Sequence, residues 1–314
     1  MIDIQKRIFI TGATGFIGSN LVRKLVSLGA SDIHILCRPE SDTSRIIDIL
    51  DRVTSHYFSL EDRDEVFSHI REISPQYVYH IAASGTAVGR VPLDMWDLLR
   101  LNNMTSAYLM DACLDTGVCE AFINTGSSSE YGHKDTPMSE NDILEPNNPY
   151  AISKSVSTHY ATYLWKQKWF PIATYRVFAA YGPYEDAKRL IPTLLSAYRE
   201  NRIPKLSSPD SVRDFIHIDD IVSAYLMADK AITHPGDIIN LGTGIQHSIA
   251  DVVRILQKIF MTDLSPEYGW VTTNQYEPKV WVANPEKMKQ IFSITPYSLE
   301  DWLQSTLQWI KKSL

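Results

Sequence analysis

The sequence predicts an α/β protein: a doubly wound parallel sheet with a smaller, more irregular lobe interleaved toward the C-terminus. Three observations predict it. Over the first 180 residues short β-branched or aromatic runs alternate with longer amphipathic stretches, the order of β-α-β units. The runs lack polar alternation, which suits strands covered on both faces. A turn rich in glycine joins the first run to the first helical stretch.

Residues 7–12 (RIFITG) read as the first strand and 16–29 (FIGSNLVRKLVSLG) as the helix after it. Residues 33–38 (IHILCR), 77–82 (YVYHIA), 121–126 (AFINTG) and 172–178 (IATYRVF) read as further strands. Residues 97–113 and a stretch from about Tyr150 read as helices. Past residue 180 the rhythm breaks into the proline-bearing segments YGPYEDAKRLIPTLL and RIPKLSSPDSVRDFIHIDD. Helices follow near 221–232, near 249–260 and from Ser298. The last opens SLED, a Ser-x-x-acid capping box, and sets Trp302, Leu303, Leu307 and Ile310 at helical spacing as core. The expected division is 1–178 plus about 213–242 for the first lobe, and about 179–212 plus 243–314 for the second.

Of the 314 residues, 44% are hydrophobic and 21% charged, enough apolar material for a large core. Lysine and arginine number 30 against 37 acids, a net charge of −7 with no basic block, which argues against nucleic acid as a partner. No apolar run approaches the roughly 18 to 20 residues of a membrane span, and the N-terminus lacks a signal pattern, so a cytoplasmic location is expected. The three cysteines, Cys37, Cys113 and Cys119, do not make a disulfide scaffold, and no Cys/His cluster has zinc spacing, so no structural metal is expected.

Gly12, Gly15 and Gly18 in TGATGFIG lie between the first strand and its helix, where backbone N–H groups and the positive helix end face one point. That is a cradle for a pyrophosphate, with a plain tight turn as the alternative. The second strand ends HILCRPES, where an NAD-preferring site would carry an acid for the ribose hydroxyls. Cys37 and Arg38 stand there instead; an arginine pairs with a 2′-phosphate, so NADP(H) is favoured over NAD(H), with Ser41 and Arg45 as alternative phosphate ligands. Tyr150 and Lys154 in NPYAISKS sit one turn apart on one helix face. A neighbouring ammonium and a nicotinamide cation would favour the phenolate, giving a tyrosine that exchanges a proton with a carbonyl.

With these motifs the chain resembles an extended short-chain dehydrogenase/reductase of the NAD-dependent epimerase/dehydratase family, which acts on nucleotide sugars and has a Rossmann fold. TGATGFIG, HIAA, Asn102, GSSSEYG, YAISK, RVFAAYGP, RDFIHIDD and NLGTG occur in the family's order along essentially the whole chain. The resemblance implies Tyr150 as acid/base, Lys154 as the group that lowers its pKa and holds the nicotinamide ribose, and a serine on the reacting sugar oxygen. The family places that hydroxyl four residues before the tyrosine of the YG pair, which is Ser127. It further implies cofactor contacts from Thr14, Phe16, Ile17, Leu60, Ala82, Asn102 and Phe178, and substrate contacts from Ser128, Ser129, Arg189 and Arg213, the last on the diphosphate. His217 is expected to pack.

Family 4,6-dehydratases carry an acid two positions after the catalytic hydroxyl; here Ser128 and Ser129 follow Ser127, and Glu130 comes one residue later. On a continuing strand that shift turns the carboxylate to the other face, so Ser128 and Glu130 are expected to point away unless a bulge intervenes. Other departures are Ala179 where the family often has asparagine, Ser59 in place of the adenine-holding acid with Asp62 as a substitute, and no arginine near NQYEPK. The expected function is an NADP(H)-dependent reductase of a nucleotide-linked 4-keto-6-deoxyhexose, with a 4-epimerase as the alternative and a dehydratase as the lesser one. A homodimer through residues 96–113 and 153–166 is expected from the resemblance.

Overall fold

The computed structural model describes residues 1–85, 93–233, 236–270 and 278–312, with side chains to residue 308. Its first strand, β1 (Ile8–Thr11), is buried throughout, as its unbroken apolar run requires. α1 (Phe16–Ser27) follows and buries Leu21, Val22 and Leu25 along one stripe. β2 (Ile33–Leu36), β3 (Thr54–His56), α2 (Arg63–Ile73) and β4 (Tyr77–His80) continue the alternation. α3 (Met95–Leu98) runs through a π-helical stretch, Leu99–Met104, into α4 (Thr105–Thr116). β5 (Ala121–Ser127), α5 (Pro149–Lys168) and β6 (Ile172–Val177) come next. The remainder is β7 (Ala179–Tyr181), α6 (Leu190–Arg199), β8 (Val212–His217), α7 (Ile218–Tyr225), α8 (Ala228–Ala231), β9 (Ile238–Leu241), β10 (Gln246–Ser248), α9 (Ile249–Phe260), α10 (Glu286–Phe292) and α11 (Leu299–Lys312).

Seven parallel strands form the main sheet in the order β3-β2-β1-β4-β5-β6-β9. The order reverses between β1 and β4, which opens a crevice at their C-terminal ends, where ligands bind in such sheets. Residues of α1, α7, α8 and α10 cover one face, while Val66, Ile70, Leu109, Met110, Ala161 and Leu164 cover the other. The fold is therefore the Rossmann-like α/β architecture that the sequence predicts.

A second, three-stranded sheet, β10-β8-β7, carries its own core of α6, α9 and α11 residues. Residues 213–217, expected with the first lobe, pair in this smaller sheet, and the chain returns to the large sheet with α7. α9 is closed by a capping box between Ser248 and Asp251 and buries Ile249, Val252, Val253 and Leu256, each worth roughly 1.5–3 kcal/mol. The helix expected over 221–232 is instead two short helices, because the chain leaves helical geometry at Met227. α11 is capped as SLED requires: Ser298 Oγ accepts from the Asp301 amide at 3.2 Å. Leu303 and Leu307 are buried and Trp302 stacks on His217 with centroids 3.8 Å apart; the Ile310 side chain lies outside the described residues. His217 is a packed residue, as expected, and burial pushes it down to about 3, so it is neutral.

Candidate active site

The glycine turn lies in the crevice between β1 and β4. Gly12 adopts φ +72°, and a Cβ there would meet the Ala82 amide nitrogen at 2.7 Å. At Gly18 a Cβ would stand 2.1 Å from the Gly12 carbonyl oxygen, so only hydrogen fits. α1 begins on Gly15 with no side-chain cap and no acid in its first turn. Its first N–H groups and positive end are thus left for an external anion, and Thr14, Phe16 and Ile17 stand half-buried around them. The cradle fits a dinucleotide pyrophosphate.

At the end of β2, Cys37 is buried and its thiol is pushed up by that burial. The Arg38 side chain is 68% exposed with Glu40 at 3.6 Å, while Arg45 donates to the carbonyls of Tyr184 at 2.8 Å and Thr14 at 3.5 Å. Leu60 is half-buried against the α2 core. Asp62 caps α2, accepting from the amides of Asp64 and Glu65, so it has a structural task that the adenine-ligand expectation did not foresee. Ala82 donates its amide to Thr11 Oγ1 at 3.3 Å, and Asn102, in the π-helical stretch, straps the Ser84 backbone to Ser153 Oγ with bonds of 2.8 to 3.1 Å.

β5 ends at Ser127, and the chain then turns through a 3-10 helix, Ser128–Tyr131. The expectation of a strand continuing past Ser127 is therefore corrected: the directions of Ser128, Ser129 and Glu130 are set by a capped turn. Ser127 Oγ and Ser129 Oγ share a hydrogen bond of 2.8 Å. Ser128 is buried and its Oγ accepts from Trp281 Nε1 at 3.2 Å. Glu130 does point away from the cleft, into the core, where it pairs with Arg176 at 2.8 Å and accepts from the Ser127 amide at 2.8 Å.

Asn148 caps α5 and Pro149 opens it, which sets Tyr150 and Lys154 one turn apart in its first turns. Ser127 lies close enough to act on the Tyr150 phenol. Burial pushes that phenol up to about 12, with Ser127 and Arg189 pulling in the other direction. The phenolate-favouring environment expected from Lys154 is thus not what the protein alone provides: at neutral pH this tyrosine is a phenol. Lys154 is buried, donates from Nζ to the Thr125 carbonyl at 2.7 Å, and is pushed down to about 8 by desolvation while Glu130 acts to raise it.

Arg189 reaches Glu185 at 3.1 Å, and Arg213 stands over the Trp281 ring at 5.5 Å. The Asp214 carboxylate is occupied by the Thr243, Gly244 and Ala283 amides and the Thr243 hydroxyl. Phe178 is buried in the main core. The sequence reading missed Trp281 and Glu185. Trp281 is 153 positions from Ser128 and carries no local signal; Glu185 is buried and pushed up to about 8, and only its i,i+4 spacing to Arg189 was legible. Residues 274–277 of the NQYEPK segment lie outside the described residues.

A family model for the NAD dependent epimerase/dehydratase family matches residues 8–242. Among curated proteins the chain is similar to dTDP-D-glucose 4,6-dehydratase of Mus musculus, 26% identical over 99% of this chain and 90% of that one. It is also similar to UDP-glucose 4-epimerase of Mycoplasma pneumoniae, 26% identical over 94% of each. Among solved structures, UDP-glucuronic acid 4-epimerase from Bacillus cereus in complex with UDP-glucuronic acid and NAD superposes with a TM-score of 0.84 at 26% identity, covering 98% of this chain and 100% of that one.

Proposed function

The chain belongs to the NAD dependent epimerase/dehydratase family, and from that premise we propose that it is an NADP(H)-dependent reductase of a nucleotide-linked 4-keto-6-deoxyhexose. The observation that carries the reading is the turn after β5. Its one acid, Glu130, is buried in an ion pair with Arg176, so the turn offers the sugar hydroxyls and no free carboxylate. Removing a proton beside a keto group, as dehydration demands, needs such a base. Carbonyl reduction does not.

A nicotinamide cofactor, held through its pyrophosphate at the Gly12, Gly15 and Gly18 turn, would supply the hydride. Tyr150, kept a phenol by burial, donates its proton to the carbonyl oxygen as that oxygen gains charge. Ser127, close to Tyr150 at the end of β5, is the second donor on the same oxygen. Lys154 holds positive charge behind the phenol, which stabilises the tyrosinate left when the proton has gone. Arg213 and Arg189 are suited to the diphosphate, and the indole of Trp281 lies between the serine turn and Arg213 as a wall for the sugar. Arg38, at the end of β2 where no acid stands, supports a 2′-phosphate and hence NADPH.

The second reading is a 4-epimerase with tightly held NAD. It is favoured by the 26% identity to an epimerase over 94% of both chains and by the NAD named with the Bacillus cereus enzyme. The proposal extends to a two-lobe division with residues 213–217 in the smaller lobe, to a cytoplasmic location and to a homodimer. Among the described residues no helix is long and apolar enough to cross a membrane. Met104, Val156 and Tyr163 are exposed on and beside α4 and α5, which supports pairing of those helices.

The test is incubation with a panel of nucleotide-linked 4-keto-6-deoxyhexoses and NADPH, following absorbance loss and analysing the product sugar. Stoichiometric oxidation of NADPH with formation of the 4-hydroxy sugar supports the reductase. Redox-neutral conversion of a nucleotide hexose replaces it with the epimerase.

A further inference from the structure

Beneath the serine turn lies a charged pair that the proposed chemistry does not use directly. Glu130 is 0% exposed and Arg176 is 1% exposed, and they meet through Nε and Oε2 at 2.8 Å. A buried ion pair adds little net stability over an apolar pair of equal volume, so its presence here points to another task. The second carboxylate oxygen, Oε1, accepts from the amide of Ser127 at 2.8 Å. Gly126 makes room for it, since a Cβ there would stand 2.6 Å from that oxygen. Arg176 is fixed in turn, its guanidinium 4.5 Å over the Tyr131 ring, whose hydroxyl donates to Asn240 Oδ1 at 2.7 Å.

We propose that Glu130, held by Arg176, is a positioning residue: it clamps the backbone of Ser127, and its carboxylate, set against Gly126 next to the Thr125 carbonyl that takes the Lys154 Nζ bond at 2.7 Å, balances the Lys154 ammonium. The proposal rests on the reading of Ser127, Tyr150 and Lys154 as the reacting set. The groups that face Lys154 are the Thr125 carbonyl from β5, His80 from β4 and Glu130. His80 is buried and neutral, pushed down to about 3, and its hydroxyl partners are Thr11 and Ser106. Glu130 is therefore the negative charge that offsets desolvation of Lys154. Tyr150 is faced by Ser127, by Glu130 and by Arg189, so the same carboxylate also helps keep the phenol protonated.

The experiment compares the wild type with Glu130→Gln and with the double variant Glu130→Val/Arg176→Met, which replaces the pair by apolar groups and avoids an uncompensated buried charge. Folding is checked by circular dichroism and melting. Lys154 is titrated by 13C NMR of its ε-carbon in the unliganded protein, assigned against Lys154→Met, and kcat and KM are measured across pH. Removing the carboxylate should move the Lys154 midpoint down by about one pH unit. The basic limb of kcat, which falls as Lys154 loses its proton, should move to lower pH with it. In the double variant, where the Ser127 amide also loses its acceptor, kcat should drop by about 100-fold with KM within about threefold. A folded double variant with an unmoved Lys154 midpoint overturns the proposal, as does one with wild-type kcat. A midpoint that moves in a protein that reduces no keto sugar upholds the electrostatic role and rejects the reductase reading instead.

Discussion

Lys154→Met should change stability with a pH dependence that only a desolvated cation produces. The side chain is 6% exposed and its charge is satisfied by one neutral acceptor, the Thr125 carbonyl, with Glu130 at longer range. Burial holds the folded-state value at about 8, against 10.5 for an ordinary lysine. That gap corresponds to about 3 kcal/mol at about 1.4 kcal/mol per pH unit. Between these values the unfolded chain binds more protons than the folded one, so raising pH stabilises the wild type. Methionine removes the titration and leaves the Thr125 carbonyl without its donor, a loss of about 1–3 kcal/mol. At pH 7 the two effects nearly offset, and the variant should lie within about 2 kcal/mol of the wild type while turnover is lost. From pH 8 to 10.5 the wild type should gain on the variant by about 3 kcal/mol in all. Urea unfolding of both proteins across that range checks it, since the other titrating groups are common to both and cancel. A difference that stays flat, or that shifts in favour of the variant as pH rises, would refute a buried, charge-bearing Lys154.

Ser127→Ala should lower kcat by about 100- to 1,000-fold while NADPH affinity stays within about twofold, measured by steady-state kinetics and fluorescence titration, because one donor to the reacting oxygen is gone and the glycine cradle is untouched. Gly18→Ala should weaken cofactor binding by about 100-fold, read by calorimetry, because its Cβ would stand 2.1 Å from the Gly12 carbonyl and the turn must open. Arg38→Ala should weaken NADPH by about 10- to 100-fold and leave NADH unchanged; equal losses for both would remove the 2′-phosphate role. Arg213→Ala should reduce affinity for nucleoside diphosphates by about 10- to 100-fold in calorimetry, with NADPH binding intact.

What the sequence determined by itself was whatever depends on spacing along the chain. The alternation of apolar runs and amphipathic stretches is local, and it foretold the parallel sheet and its flanking helices. The glycines of the first turn, the Tyr150 and Lys154 pair one helical turn apart and the SLED cap are equally short-range, and each was legible because its geometry closes within a few residues. Tertiary structure decided the rest. Strand alternation cannot tell where a strand stops, so the 3-10 turn after Ser127 became visible only once β5 had its neighbours. Glu130 turns away from the cleft because Arg176, 46 positions later, meets it from the adjacent strand. Trp281 reaches Ser128 from 153 positions further along the chain. The protonation of Tyr150 and Lys154 belongs to the same class, since removal from water and the nearest opposite charge are properties of the packed molecule and not of any stretch of chain.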